Sequence, residues 1–121
     1  GSSSDGRYKS IYAPRSEGQA IAVRLAYKEA GFTPDTLGLI EAHGTGTVAG
    51  DPAEMAGLKL VYGDYEVKKN SIALGSIKSN IGHTKAAAGT AGLIKASLAL
   101  HQKVLPATIN VDKPNPKFGL D

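Results

Sequence analysis

The 121-residue sequence has no cysteine and no tryptophan, a single methionine and two phenylalanines. Without cysteine it holds no disulfide, no thiolate metal site and no cysteine nucleophile. Its apolar runs fall well short of the roughly 20 residues a membrane span needs, and the first residues carry no signal-peptide hydrophobic segment. Charge of one sign is also scarce: 14 Lys and Arg stand against 11 Asp and Glu, a net charge of +3. That excess is too small and too scattered to mark a nucleic-acid surface or a polybasic membrane surface. The expectation is a soluble, cytoplasmic protein with neither nucleic acid nor membrane as a partner.

What is present suits a packed globular domain. Hydrophobic residues make up 41% and charged residues 21%, which argues against disorder. The 15 glycines point to close backbone approach, to other backbone or to a ligand. A domain of this length buries only about 60–70% of its unfolded surface, so its margin is thin if it stands alone.

Along the chain, residues 1–15 read as loop. Ser16 reads as an N-cap with Gln19 completing a capping box, and Ile21, Ala22, Leu25, Ala26 and Ala30 recur at helical spacing up to Gly31. Residues 37–42 form a short apolar strand with His43 at its end. Asp51, Pro52 and Glu54 announce a second helix, with Asp51 as cap and Glu54 reaching back to it, running to Tyr62 and stopping at Gly63. A charged connection over residues 64–70 leads to a second buried strand over 72–77, and His83 follows shortly after. A third helix, Ala86 to Gln102, is rich in Ala and Gly on several faces, which suits a helix packed between layers. Pro106 blocks its continuation, and Thr108–Val111 reads as one more short strand before a Pro-rich tail. The alternation of helix and strand predicts an α/β fold with a mostly parallel sheet.

Two segments stand out as chemistry-bearing, Glu41-Ala42-His43-Gly44-Thr45-Gly46-Thr47 and Lys78-Ser79-Asn80-Ile81-Gly82-His83-Thr84. Each follows a strand and precedes a helix. Loops at the carboxyl ends of parallel strands share one rim where ligands bind. If the strands are neighbours, about 4.8 Å apart, both imidazoles reach one small group. Gly44, Gly46 and Gly82 would let that group approach the backbone, and Thr45 and Thr47 offer hydroxyls beside it. A lone loop histidine is more often a solvated side chain than a catalyst, but two in matching positions single out this rim. Lys78 faces the site or is a solvated loop cation, Asp51 and Glu54 are accounted for by capping, and His101 serves the dipole of the third helix. Other templates fail: the glycines at 44, 46 and 50 miss G-x-G-x-x-G, and no phosphate loop, H-E-x-x-H or G-x-S-x-G occurs. A zinc site on the two histidines would need carboxylates that the caps already use, so no metal is expected.

At these two motifs the sequence resembles the β-ketoacyl synthases, in particular the ketosynthase domains of modular polyketide and polyunsaturated-fatty-acid synthases. The likeness extends to Ser4-Asp5-Gly6, Gly50-Asp51-Pro52-Ala53-Glu54, Ala86-Ala87-Ala88-Gly89, Gly92-Leu93-Ile94-Lys95 and Leu105-Pro106-Ala107-Thr108, all in family order. The resemblance implies part of one half of a thiolase-like fold, residues 1–121 being a partial C-terminal half without the nucleophile-bearing N-terminal half or the closing strands. It implies that His43 and His83 are the two histidines of a Cys-His-His site, that Lys78 is the supporting lysine, and that Thr45 and Thr47 touch the phosphopantetheine arm of an acyl carrier protein. No cofactor is then bound by this chain, since the arm belongs to the carrier. The implied reaction is a decarboxylative Claisen condensation of malonyl and acyl thioesters in polyketide or fatty acid biosynthesis, within a homodimeric parent. The alternative is a non-catalytic half-domain that binds pantetheine or a partner chain. Where some bacterial relatives carry an acid nine residues after the second histidine, this chain has Gly92. Two further expectations follow: the isolated chain forms no acyl-enzyme, and its third helix exposes an apolar face.

Overall fold

The computed structural model of the chain describes residues 1–6 and 13–118. Of the loop expected over 1–15, residues 7–12 lie outside the described residues, as do 119–121 of the tail. The elements run α1 (Ser16–Ala30), β1 (Leu39–Glu41), α2 (Gly50–Tyr62), β2 (Ala73–Gly75), a one-turn α3 (Lys78–Ile81) and α4 (Ala88–Gln102). Short 3-10 turns lie at Pro34–Thr36, Lys85–Ala87 and Pro116–Phe118.

β1 and β2 are adjacent and parallel, with Leu39 opposite Ala73, Ile40 opposite Leu74 and Glu41 opposite Gly75. A parallel pair cannot be joined by a tight turn, and α2 supplies the crossover. Both strands are shorter than the apolar runs that predict them. Two hydrogen bonds carry the ladder past their ends, from Ala73 N–H to Gly38 O (3.0 Å) and from Ala42 N–H to Gly75 O (2.7 Å). The outcome is that both strands point their carboxyl ends, and hence both histidine motifs, at the same rim.

α1 packs against α2, and the packing is close because of what α2 lacks at one position. A Cβ added at Gly57 would stand 3.0 Å from Ser16 O and 3.3 Å from Gln19 Cβ. Ala20 and Val61 are buried in this contact zone at 1% exposure each. Polar ties reinforce it. The Arg24 guanidinium donates to Leu60 O and pairs with Asp64 at 3.1 Å. The Tyr27 and Tyr62 hydroxyls are 2.6 Å apart with their rings edge to face, and burial, then the bond to Tyr27, pushes the Tyr62 phenol well above its ordinary pKa. Gly31 ends α1 as expected, in the left-handed region at φ 72° with its N–H on Tyr27 O.

Several local expectations are corrected. Ser16 is the first helical residue rather than a cap: Arg15 is the N-cap, and no side chain closes it. Asp51 is likewise inside α2, whose N-cap is Ala49. Thr108–Val111 forms no strand. Asn110 sits at φ 60° and its side-chain amide donates to Ser79 O (3.1 Å), tying the segment to α3 instead of to the sheet. The motif stretch Lys78–Ile81, expected as loop, winds into one helical turn. The third helix starts slightly later than expected, at Ala88, after the Lys85–Ala87 turn.

α4 buries only Ala88, Gly92 and Lys95. Its apolar side chains face outward, Leu93 at 67% exposure, Ile94 and Leu98 at 55% each and Leu100 at 81%. The helix composed to lie between layers therefore has a layer on one side only.

Candidate active site

His43 lies two residues past β1, and His83 lies eight past β2 after the turn of α3. Their ring centroids are 5.3 Å apart and the rings are nearly perpendicular, at 84°. The rim geometry thus brings the two imidazoles together.

Two glycines make this approach possible. Gly44, directly after His43, has φ 47°, and a Cβ there would stand 2.7 Å from Ser76 Cβ, so the first loop passes over the end of the second strand with no room for a side chain. Gly82, directly before His83, has φ 76° and ψ −176°, a combination almost reserved to glycine. It reverses the chain out of α3 so that the next residue turns back toward His43.

The first loop is held from below by two carboxylates of α2. Glu54 accepts the His43 N–H at Oε1 (2.7 Å) and the Gly44 N–H at Oε2 (2.9 Å), and Asp51 Oδ1 accepts the Gly46 N–H (3.0 Å). Neither acid serves as the helix cap the local pattern suggests; both fix the loop that carries His43. Thr47, two residues before the N-cap Ala49, accepts the N–H of Gly50, the first residue of α2, at its Oγ1 (3.0 Å) and lies 3.1 Å from Thr45 Oγ1. His43, Thr45 and Thr47 border a cleft of about 600 Å³ that is also lined by Ala22, Val23 and Leu58.

The second loop fixes the state of its histidine. The Lys85 N–H donates to His83 Nδ1 (3.1 Å), which places the proton of the neutral ring on Nε2. The imidazole is also held below the ordinary 6.5. Although the side chain is exposed, desolvation contributes most, followed by the Lys78 ammonium, His43 and the Lys85 ammonium, against a backbone hydrogen bond that acts in the opposite direction. Lys78 thus acts on the site electrostatically from the first position of α3. His101 stands apart, in the last turn of α4. Among the described residues no three His, Cys, Asp or Glu side chains cluster as metal ligands, and no helix is long and apolar enough to cross a membrane.

A neutral imidazole with an Nε2–H donor beside a second imidazole, on the rim of a parallel α/β sheet, is an arrangement for stabilising negative charge on a small oxygen. Comparison with known proteins identifies the family to which the chain belongs. Residues 1–112 match the family described as Beta-ketoacyl synthase, C-terminal domain, and the chain belongs to the β-ketoacyl synthase family. It is 48% identical over 111 residues to polyketide synthase GfsE of Streptomyces halstedii, covering 92% of this chain and 3% of that protein. To one component of the polyunsaturated fatty acid synthase of a Thraustochytrium species it is 50% identical, covering 93% of this chain and 4% of that one. Among solved structures, the ketosynthase from module 1 of the bacillaene synthase of Bacillus amyloliquefaciens superposes with a TM-score of 0.92 at 42% identity, over 97% of this chain and 21% of its own length. The fold is accordingly part of one half of a thiolase-like ketosynthase, α/β with a parallel sheet. The chain spans a small fraction of the curated relatives it matches and about a fifth of that ketosynthase.

Proposed function

We propose that this segment supplies the two-histidine half of the active site of a β-ketoacyl-[acyl carrier protein] synthase, an acyltransferase of polyketide or fatty acid biosynthesis. The observation that carries the reading is the pair of imidazoles 5.3 Å apart with the His83 proton on Nε2. In the reaction, an acyl group is held as a thioester on a cysteine contributed from outside these residues, since the sequence has no cysteine. A malonyl thioester loses carbon dioxide, and the electron pair of the broken C–C bond passes into an enolate whose oxygen accepts hydrogen bonds from His43 and His83. The enolate carbon then attacks the acyl carbonyl, and the thiolate leaves. Preorganised donors aimed at the developing oxyanion supply the barrier reduction. Lys78 opposes protonation of His83 and so keeps the donor neutral.

Thr45 and Thr47, at the border of the cleft, are assigned to the phosphopantetheine arm of an acyl carrier protein. The same reading makes the partner set an acyl carrier protein and the nucleophile-bearing half of a homodimeric, cytoplasmic synthase. The test is made in the intact synthase that carries this segment. His43→Ala and His83→Ala are each expected to lower condensation by about 100- to 1,000-fold, while loading of the acyl group onto the cysteine persists. Unchanged condensation in both variants would overturn the assignment in favour of a half-domain that only binds pantetheine or a partner chain.

A further inference from the structure

β1 ends in a carboxylate that the condensation chemistry does not use. Glu41 is paired with Lys95 of α4, Nζ to Oε2 at 2.7 Å, with side-chain exposures of 13% and 6%. The other oxygen of the same carboxylate, Oε1, accepts the N–H of Ile77 (2.5 Å). Ile77 is the N-cap of α3, directly before Lys78. One carboxylate therefore reaches from the strand that leads to His43 across to the segment that leads to Lys78 and His83, and the helix following His83 holds it in place.

The surroundings are shaped around this bridge. A Cβ added at Gly92 would stand 3.0 Å from Glu41 Cγ, and one added at Gly75 would stand 3.3 Å from Lys95 Nζ and 2.6 Å from Thr108 Oγ1. Stability does not call for charges here. A buried ion pair suffers a desolvation cost, and apolar side chains of similar volume often hold such layers together as well or better. An apolar group cannot, however, fix one loop against another through a directional bond, and the bond from Ile77 to Glu41 does so between the two histidine motifs.

We propose that Glu41, locked by Lys95, is a positioning residue that sets the spacing of the His43 and His83 loops. The inference rests on the two-histidine reading above. A misplacement of about 1 Å in a catalytic group costs on the order of 100-fold in rate, and the bridge acts on that scale.

Two doubly substituted forms of the intact synthase isolate the bridge from the charge. Glu41→Gln with Lys95→Met removes both charges but keeps an acceptor for the Ile77 N–H; Glu41→Leu with Lys95→Met removes both charges and the acceptor. The Gln form is expected to condense within a few-fold of the parent, and the Leu form about 100-fold more slowly, with acyl loading onto the cysteine unchanged in both. Equal condensation by the two forms overturns the proposal, as does a proportionate loss of loading in the Leu form, which marks a purely structural role. If the Leu form does not accumulate as folded protein, Glu41→Asp decides: the carboxylate, shortened by one methylene, cannot reach both partners. Slower condensation with loading intact then supports the proposal, and parental condensation ends it. His43→Ala and His83→Ala are measured alongside. If those leave condensation intact the two-histidine reading itself fails; if they abolish it while the Leu form matches the Gln form, only the positioning role fails.

Discussion

The two sides of the sheet region are finished to different degrees. On one, α1 and α2 close on each other around Ala20, Gly57 and Val61, with the Arg24 and Tyr27 contacts crossing the gap. On the other, α4 buries Gly92 and the amphipathic Lys95 against Glu41 and turns Leu93, Ile94, Leu98 and Leu100 to solvent. The closed side is where the His43 loop takes its support, through Glu54 and Asp51 of α2. The open side is where the His83 loop takes its own, through α4. The two histidine loops therefore rest on foundations of unequal completeness.

The largest expected effect tests the open side. Each Å² of apolar surface left in water forgoes about 25 cal/mol, so the outward face of α4 weighs heavily against the about 5–15 kcal/mol of net stability usual for a domain. The 121-residue chain prepared alone is expected to self-associate or melt without a sharp transition. A monodisperse monomer in sedimentation, with a cooperative melt at high temperature, would show both sides to be equally complete.

Next in size is the support from the closed side. Glu54→Ala in the intact synthase leaves the His43 and Gly44 N–H groups without their acceptor, and condensation is expected to drop about 100-fold. Glu54→Gln, which keeps one accepting oxygen, should fall between that variant and the parent. A rate in Glu54→Ala equal to the parent's would mean that the first loop holds its shape without α2. The smallest effect concerns His83. Its pKa is depressed, so the ring stays neutral below the ordinary 6.5 and the acid limb of the condensation rate should lie below that value. Lys85→Met removes one of the opposing charges, raises the pKa toward 6.5 and moves the acid limb upward by a fraction of a pH unit. The rate on the alkaline side of the limb should be unaffected. A limb that stays in place, or moves down, would show that the Lys85 charge does not reach the ring.

How far the sequence carried these conclusions depended on the range of the interaction. The strand–motif–helix order, the parallel neighbours and the meeting of His43 with His83 were legible because each is announced locally by an apolar run, a glycine and a helix start. The tasks of Asp51 and Glu54 were not. A carboxylate at those positions satisfies a capping pattern equally well, and nothing local tells that the partners are amide groups in the preceding loop, five residues back for Asp51 and ten and eleven for Glu54. Lys95 and Glu41 were invisible as a pair for the same reason, lying on elements that only the fold brings together. The strand expected at Thr108–Val111 had suitable β-branched residues, but Asn110 takes a positive φ and bonds to Ser79, and that tertiary contact outweighs propensity. Ser79 also shows why the helical turn of α3 escaped notice. Its hydroxyl donates to Ser76 O (2.9 Å), and such side-chain closure of a single turn leaves no periodicity to read.

The hydrogen bond from the Lys85 amide to His83 has a consequence for reactivity. A neutral imidazole ordinarily offers two faces to chemistry, a hydrogen on one nitrogen and a lone pair on the other, and the lone pair is what makes histidine a base, a nucleophile or a metal ligand. Here that lone pair is occupied by the chain's own backbone. What the ring presents outward is only the hydrogen, so His83 is reduced from a versatile group to a one-sided one, able to give a hydrogen bond to an oxygen but poorly able to take a proton or attack a carbonyl.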